Sequence, residues 1–382
     1  MTGDLNHVGV LCNIDMDGDP LQQLSPSVIN RTFLIGRLLP EDVRLFLYCP
    51  KDVAPTGEVP GYVLEGQKLV ATRRPVPRVS ANWSYRTRQL LRHGMGYRSF
   101  KHWMRERGNE VYVPYEFSEL VSNKQKTYDA VREWDESLHP HTEDFVATPA
   151  QIESFLARSQ TVFIKPRAGH KGNRIFVLRR VGGGYSLEYY DSRARRSFPR
   201  ISLVAVLALV DAAAGRERYV VQEGVESLRY EDAVFDVRVV MVHDGRTWHA
   251  LLESRLAPRG SELSNVYQGG SIRVTRELLA SIMGEQEGRV VEDRLRQLSH
   301  QLAGHFESLF PDALPELGLD FVLDVDRRPR LVEVNAKPGI AGIGSETKLD
   351  EWTPEEQALH EMWTFPHMKH LAGFLRHKIE AA

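Results

Sequence analysis

Residues 318–339 read GLDFVLDVDRRPRLVEVNAKPG, and no other stretch of the chain constrains the architecture as much. Two apolar runs flank a polar turn near Asp326 to Pro329, the pattern of an antiparallel hairpin. Asp320 falls on the first strand, and Glu333 and Asn335 lie two apart on the second, so their side chains share one face of the sheet. A carboxylate set into an apolar strand is costly unless something compensates it. Three hard oxygen ligands on one face suit Mg2+, which takes a few carboxylates and completes its octahedron with water and phosphate oxygens. The plainer alternative is a hairpin whose polar groups face water.

Two earlier stretches acquire meaning beside this one. TVFIKPRAGHKGNRIFV (residues 161–177) sets Lys165 at a strand end, ahead of a loop holding Gly169 and Gly172. Glycines let backbone N–H groups approach phosphate oxygens, and the lysine supplies charge. The spacings GxxxxGK[ST] and GxGxxG are both absent, so a simple tight turn reads equally well here. YVVQEGV (residues 219–225) is an apolar strand leaving through Gln222, Glu223, Gly224 and Val225. Exposed backbone at such an exit can pair with the edge of an adenine, although a lone strand exit carries no such meaning.

The remaining sequence supplies the frame. His7–Ile14, Ser27–Leu39 and Val43–Cys49 alternate strand, helix and strand, a βαβ opening that predicts a parallel sheet. Residues 50–77 are rich in Pro and Gly and read as irregular with a short strand or two. Tyr97–Arg107 reads as a helix, Val111–Phe117 as a strand and Asn123–Glu136 as a helix. Thr148-Pro149 marks a helix start, Leu203–Ala214 is helical, and Asp244-Gly245 turns between two strands. Glu285–Phe310 reads as one long helix. The expected class is α+β, with a parallel N-terminal unit.

Together the three motifs, in this order, resemble the ATP-grasp superfamily, in which two α+β subdomains clamp ATP behind an α/β domain. The resemblance covers roughly Asn123 to Lys348 and divides the chain into an N-terminal domain (1–120), a small subdomain with a Gly-rich lid (121–222) and a large subdomain with the metal site (223–382). It implies two Mg2+ ions, with Mn2+ a substitute, on Asp320, Glu333 and Asn335. Lys124, with Lys126 as second candidate, and Lys165 would reach phosphates together with Gly169 and Gly172. Gln222, Glu223, Gly224 and Val225 would hold adenine, and Glu226 or Glu231 the ribose. Arg238, Arg255 and Asn265 resemble the groups around the reacting centre, with the Gly339 N–H beside them. The series FDVRVVM, ESRLAP and SNVYQGGS with the late hairpin is most similar to the spore-coat-associated YheC/YheD group. Where many members carry a further glycine in the loop, this chain has Arg174, which implies either a stiffer loop or an extra contact to phosphate or substrate; His170 and Lys171 read as solvent-facing.

That resemblance implies an ATP-dependent carboxylate–amine ligase that forms an amide or peptide bond through an acylphosphate and releases ADP and phosphate, acting on small-molecule or peptide carboxylates and amines. A kinase on the same fold, and a nucleotide-binding coat-type scaffold, are the rival expectations. The chain's 382 residues are 42% hydrophobic and 26% charged, with a formal charge of -2, so no global field favours nucleic acid or membrane. Its basic stretches at Arg86–Arg92 and Arg193–Arg200 read as solvated faces, and Trp83, Tyr85 and Arg86 as packing more than as a substrate loop. Two cysteines, Cys12 and Cys49, do not make a disulfide scaffold. The opening MTGDLNHVGVLCNID lacks a signal-peptide pattern, and a cytoplasmic protein is the expectation. The tail beyond Asp350, with Trp352 and Trp363, packs either on the core or on a second subunit, which makes a homodimer one expectation.

Overall fold

The computed structural model describes residues 6–83, 97–112, 115–169, 173–191, 194–264, 270–311, 313–338, 354, 358 and 360–381. Its first sheet contains β1 (Asn6–Leu11), β2 (Val43–Tyr48), β3 (Glu58–Glu65), β4 (Lys68–Pro75), β5 (Val79–Asn82) and β6 (Glu110–Tyr112), in the order β4-β3-β2-β1-β5-β6. Strands β2, β1, β5 and β6 are parallel, as the βαβ opening predicts. The helix Pro26–Leu38 makes the crossover from β1 to β2 and buries Val28, Leu34 and Ile35 against the sheet.

Two segments differ from what their sequence pattern predicts. Residues 58–75 form a full antiparallel hairpin, β3 with β4, paired from Glu58↔Pro75 to Glu65↔Lys68. Strand β4 is an edge strand whose side chains are mostly exposed, so it lacks the apolar alternation that would reveal it. Likewise the strand at Val111 ends at Tyr112, and Tyr115–Ser122 is helical, with Phe117 fully buried beneath the third sheet.

A second sheet is antiparallel throughout: β7 (Thr142–Asp144), β8 (Thr161–Pro166), β9 (Ile175–Val181), β10 (Gly184–Asp191), β11 (Ala194–Ile201) and β12 (Tyr219–Glu223), ordered β11-β10-β9-β8-β12-β7. Helices Pro149–Leu156 and Leu203–Ala214 cover one face, where Ile152, Phe155, Val206 and Val210 meet Ile164, Leu178 and Val221. Thr148 and Ser202 cap these helices with their hydroxyls, the role their sequence positions predict.

The third sheet holds β13 (Arg229–Tyr230), β14 (Ala233–His243), β15 (Trp248–Leu256), β16 (Ser271–Arg273), β17 (Glu316–Leu323) and β18 (Pro329–Asn335), with β16-β15-β14-β17-β18 in sequence across it. The helix Glu285–Leu309 buries Val291, Leu295, Leu302 and Phe306, one stripe at helical spacing, against its back. Segment Phe117 to Leu138 joins this same core.

The tail's helix Phe365–Ala381 resolves one open alternative for the described residues: it packs on the chain's own core. Met368, Leu371, Phe374 and Leu375 are buried among Val8, Val10, Leu45 and Val242, and Trp363 donates its Nε1–H to the Leu252 carbonyl at 2.8 Å. Cys12 and Cys49 are free and buried. No helix among the described residues is long and apolar enough to cross a membrane. Because Leu371 is 1% exposed and bridges the first and third sheets, Leu371→Ala should cost about 2–5 kcal/mol. Urea unfolding should show one transition moved to lower denaturant; an unchanged midpoint would contradict the shared core.

Candidate functional site

Between the second and third sheets lies a cleft of about 1530 Å3. Its walls carry Lys124, Lys165, Gly169, Gln222, Glu223, Gly224, Val225, Arg238, Arg255, Asp320, Glu333 and Asn335. Twelve residues singled out from the sequence therefore meet at one place. Gly172, Asn265 and Gly339 lie outside the described residues.

On the third sheet the antiparallel register sets the geometry. Asp320 pairs across with Glu333 and with Arg238, and Gly318 with Asn335; a register shift follows Asp320. Arg238 grips the Asp320 carboxylate with two parallel bonds, Nε to Oδ1 at 2.8 Å and Nη2 to Oδ2 at 2.7 Å. Arg255 reaches the same Oδ2 at 3.0 Å and also forks onto Asp236 at 2.6 and 2.7 Å. Burial would raise the Asp320 pKa, but the two guanidinium groups overcome it and hold the carboxyl well below the usual carboxylate range. Burial likewise opposes charge on Arg255, and Asp236 and Asp320 outweigh it, so its pKa stands above its ordinary value.

Asp236 and the buried Glu253, which also face the cleft, escaped the sequence reading. Their signal is alternation: FDVRVV and LLESRL each place an acid and an arginine two apart, on one face of adjacent strands. Glu333, by contrast, carries no hydrogen bond or ion pair among the described residues. The Asn335 side chain donates weakly to Asp320 at 3.4 Å, which leaves its carbonyl oxygen for another partner. Oδ1 of Asp320 accepts one hydrogen bond and keeps a lone pair. A divalent cation thus fits: three oxygens with capacity to spare, on one face, in a pocket whose buried arginines are already neutralised.

The second sheet supplies cations. Lys165, near the end of β8, donates to Gln222 Oε1 at 2.6 Å and lies 4.8 Å from the centre of the Phe163 ring. Gln222 in turn donates to the Thr142 hydroxyl at 2.9 Å, so its side chain positions the lysine while its neighbours form the strand exit. Lys124 opens the helix Lys124–Trp134; Asn123 caps that helix, and the Lys124 N–H ties it to the Arg167 carbonyl at 2.9 Å. Its ammonium donates to the Gly169 carbonyl at 3.0 Å. Lys126 points elsewhere, toward Glu119.

At the exit, Gly224 passes so close to β8 that a Cβ would sit 2.6 Å from the Thr161 carbonyl oxygen. Its N–H bonds that carbonyl at 2.7 Å, and Glu223 pairs with Arg158 at 2.8 Å. The next residue, Val225, has neither backbone group hydrogen-bonded among the described residues. Glu226 lines the cleft, whereas Glu231 lies off it beside Arg259. Arg174 adopts φ 56°, the left-handed region glycine favours, and its guanidinium pairs with Glu217 at 2.6 Å, away from the cleft wall.

Desolvation lowers the Lys165 pKa from its ordinary 10.5 to about 8, with Lys124 adding to the effect and Glu333 opposing it. Between those two values the unfolded chain binds more protons than the folded one, so stability rises with pH across that window as the buried charge is relieved. Lys165→Met should flatten this rise. Urea unfolding at pH 8 and at pH 10.5 would show the gap between wild type and variant changing by about 1–3 kcal/mol, and an identical pH profile in both would refute a buried, charged Lys165.

A family model described as YheC/D like ATP-grasp matches residues 115–365. The endospore coat-associated protein YheD of Bacillus subtilis is 23% identical over 243 residues, 60% of this chain and 51% of that protein; the chain spans about half the length of that curated relative. Among solved structures, D-alanyl-alanine synthetase A from Vibrio cholerae superposes with a TM-score of 0.55 at 11% identity, covering 99% of this chain and 100% of the other. The D-alanine-D-alanine ligase from Coxiella burnetii gives 0.52 at 10% identity, covering 99% and 96%. Both show the ATP-grasp fold.

Proposed function

The chain belongs to the YheC/D-like ATP-grasp family, and from that premise we propose that it is an ATP-dependent carboxylate–amine ligase, joining a carboxylate to an amine through an acylphosphate. The observation that carries the reading is the opposition across one cleft of two lysines, Lys124 and Lys165, and the oxygen set of Asp320, Glu333 and Asn335. A polyphosphate is the ligand that satisfies both walls: its oxygens meet the ammonium groups on one side and share divalent cations with the carboxylates on the other.

The unpaired backbone of Val225, beside the apolar side chains of Phe163, Ile175 and Val322 that share the cleft wall, offers an adenine ring an amide edge and flat apolar surfaces. Asp320, Glu333 and Asn335 would hold Mg2+, which when bound would neutralise charge on the terminal phosphates. In the first step a substrate carboxylate oxygen attacks the γ phosphorus as the bond to ADP breaks. In the second the amine attacks the acyl carbon, phosphate leaves, and the amine loses a proton. The Arg238 and Arg255 guanidinium groups, held in place by Asp320 and Asp236, would present pre-oriented N–H donors to the reacting phosphoryl and acyl groups, so little reorganisation is needed. No side-chain nucleophile is required. Both cysteines lie in the first unit, just after β1 and just after β2.

The ligand would enter against a lysine whose charge is disfavoured by burial; a polyphosphate beside it restores the charged form. Nucleotide affinity should therefore weaken as pH rises through about 8 in the wild type, and Lys165→Met should bind weakly at every pH. Glu333→Ala should lower ATP turnover at least about 100-fold, with only a small change in the urea midpoint, because among the described residues the side chain has no hydrogen bond to lose and supports Lys165 only through its charge. Phosphate release that requires both a carboxylate and an amine supports ligation; ADP formed without free phosphate would identify a kinase, and wild-type turnover in Glu333→Ala would overturn the assignment of this cleft.

A further inference from the structure

A second cluster of ligating side chains lies away from the cleft, where the tight turn between β14 and β15 meets the helix Phe365–Ala381. Asp244, His249 and His370 present one carboxylate oxygen and two imidazole nitrogens that all lie within 4.8 Å of one another. We propose that these three residues form a binding site for a transition-metal ion of the zinc class, distinct from the cleft and serving to clamp the closing helix onto the third sheet.

The local fold presents these groups for the purpose. In the turn, Oδ1 of Asp244 accepts the N–H groups of both Arg246 and Thr247 at 2.9 Å, which fixes the carboxylate and leaves Oδ2 turned toward the imidazoles. That Oδ2 lies 2.8 Å from His249 Nε2. The helix is pressed against the turn: Gly245 has φ 98° and a Cβ there would meet His377 Cβ at 2.4 Å, while Gly373 passes close to the Asp244 backbone. This docking holds His370 over His249 with ring centroids 3.7 Å apart. A capping aspartate needs only one of its oxygens, and a lone histidine pair at a wet surface needs no carboxylate beside it; the three together make the donor set of a metal site.

Chemistry selects the ion. Two imidazoles and one carboxylate are a nitrogen-rich, borderline-soft set that favours zinc, copper, nickel or cobalt over Mg2+, whereas the cleft offers oxygens alone. Three protein ligands leave a fourth position for water. The side chains of Asp244 and His249 are 27% and 33% exposed, so an ion can reach them. The rings stack at 13°, and one must turn for both lone pairs to meet a single ion. His370 can do so, since neither of its ring nitrogens is hydrogen-bonded among the described residues.

The test uses the untagged full chain, stripped with a chelator and titrated calorimetrically with zinc chloride in the presence of excess Mg2+. One zinc per chain is expected, together with a raised midpoint of thermal unfolding. His249→Ala and His370→Ala should abolish that stoichiometric event, and Asp244→Asn should weaken it at least about tenfold. Glu333→Ala and His377→Ala should bind zinc as wild type does, which separates this site from the cleft and from the chain's other histidines. Cobalt(II) added to the wild-type chain should give the visible absorption of a four-coordinate nitrogen and oxygen site, a readout that needs no variant to fold. Absence of a one-to-one event in wild type, or its survival in both histidine variants with unchanged circular dichroism, overturns the proposal.

Discussion

A carboxylate at the centre of a sheet is the constraint on which the site depends. Asp320 is 2% exposed, and an isolated charge so placed would neutralise itself or unfold the strand. Two guanidinium groups prevent this, and each can reach Asp320 only because β14 lies between β15 and β17 in fixed antiparallel register. Arg255 pairs in the ladder with Asp236 and Arg238 with Glu253, so acids and bases alternate across three strands. A slip of one residue would turn every one of these charges into the core behind the sheet. The charge pattern therefore enforces register at the place where register decides which oxygens meet.

The two walls of the cleft are balanced differently. On the third sheet the arginines pair with Asp236 and Asp320, which leaves Glu333 without an ion pair among the described residues. On the opposite wall Lys165 of the second sheet and Lys124 of the helix Lys124–Trp134 hydrogen-bond, among the described residues, to neutral groups, a carboxamide and a carbonyl. Holding Lys165 this way works against its charge, as its lowered pKa records. Stability is given up at this spot, and occupancy of the cleft by an anion is what would return it. A site arranged only for folding would have paired the lysine directly with an acid, whereas Glu333 acts on it without an ion pair.

The hairpin at 318–335 was legible because its polar residues break an apolar run at period two, and a run so interrupted has few readings. Lys165 and the strand exit at Gly224 were legible only in its company. What stayed hidden had a physical reason in each case. Strand β4 is solvated along most of its length, so nothing in its composition marks it as paired. Asp236 and Glu253 look like ordinary interruptions until three strands are laid side by side. Gln222 reads as part of a strand exit, whereas its side chain serves the lysine across the ladder. The cluster at Asp244, His249 and His370 joins positions more than a hundred residues apart, and no local spacing can report that.

Strand β17 explains how these parts are held together. At its first residue, Glu316 is fully buried and accepts hydrogen bonds from Arg31 of the helix Pro26–Leu38 at 2.6 and 3.1 Å, with His367 of the closing helix 2.7 Å away. Burial would raise its pKa, yet Arg31 and His367 bring it down to about 2, so it remains an anion that both neighbouring units must neutralise. Four residues further along the strand, Asp320 performs the same service for β14 and β15. Lys337, just past β18, donates to Asn82 at the end of β5 at 3.2 Å and closes the junction on the other side. Removing Asp320 would leave the Arg238 and Arg255 guanidinium groups facing one another, and removing Glu316 would leave Arg31 buried without its counter-ion, so the first and third sheets would lose their common reference. The position of the cleft's acidic wall relative to the N-terminal helix, which lends Asn30, Arg31 and Leu34 to the cleft's lining, thus follows from two charges on a single strand.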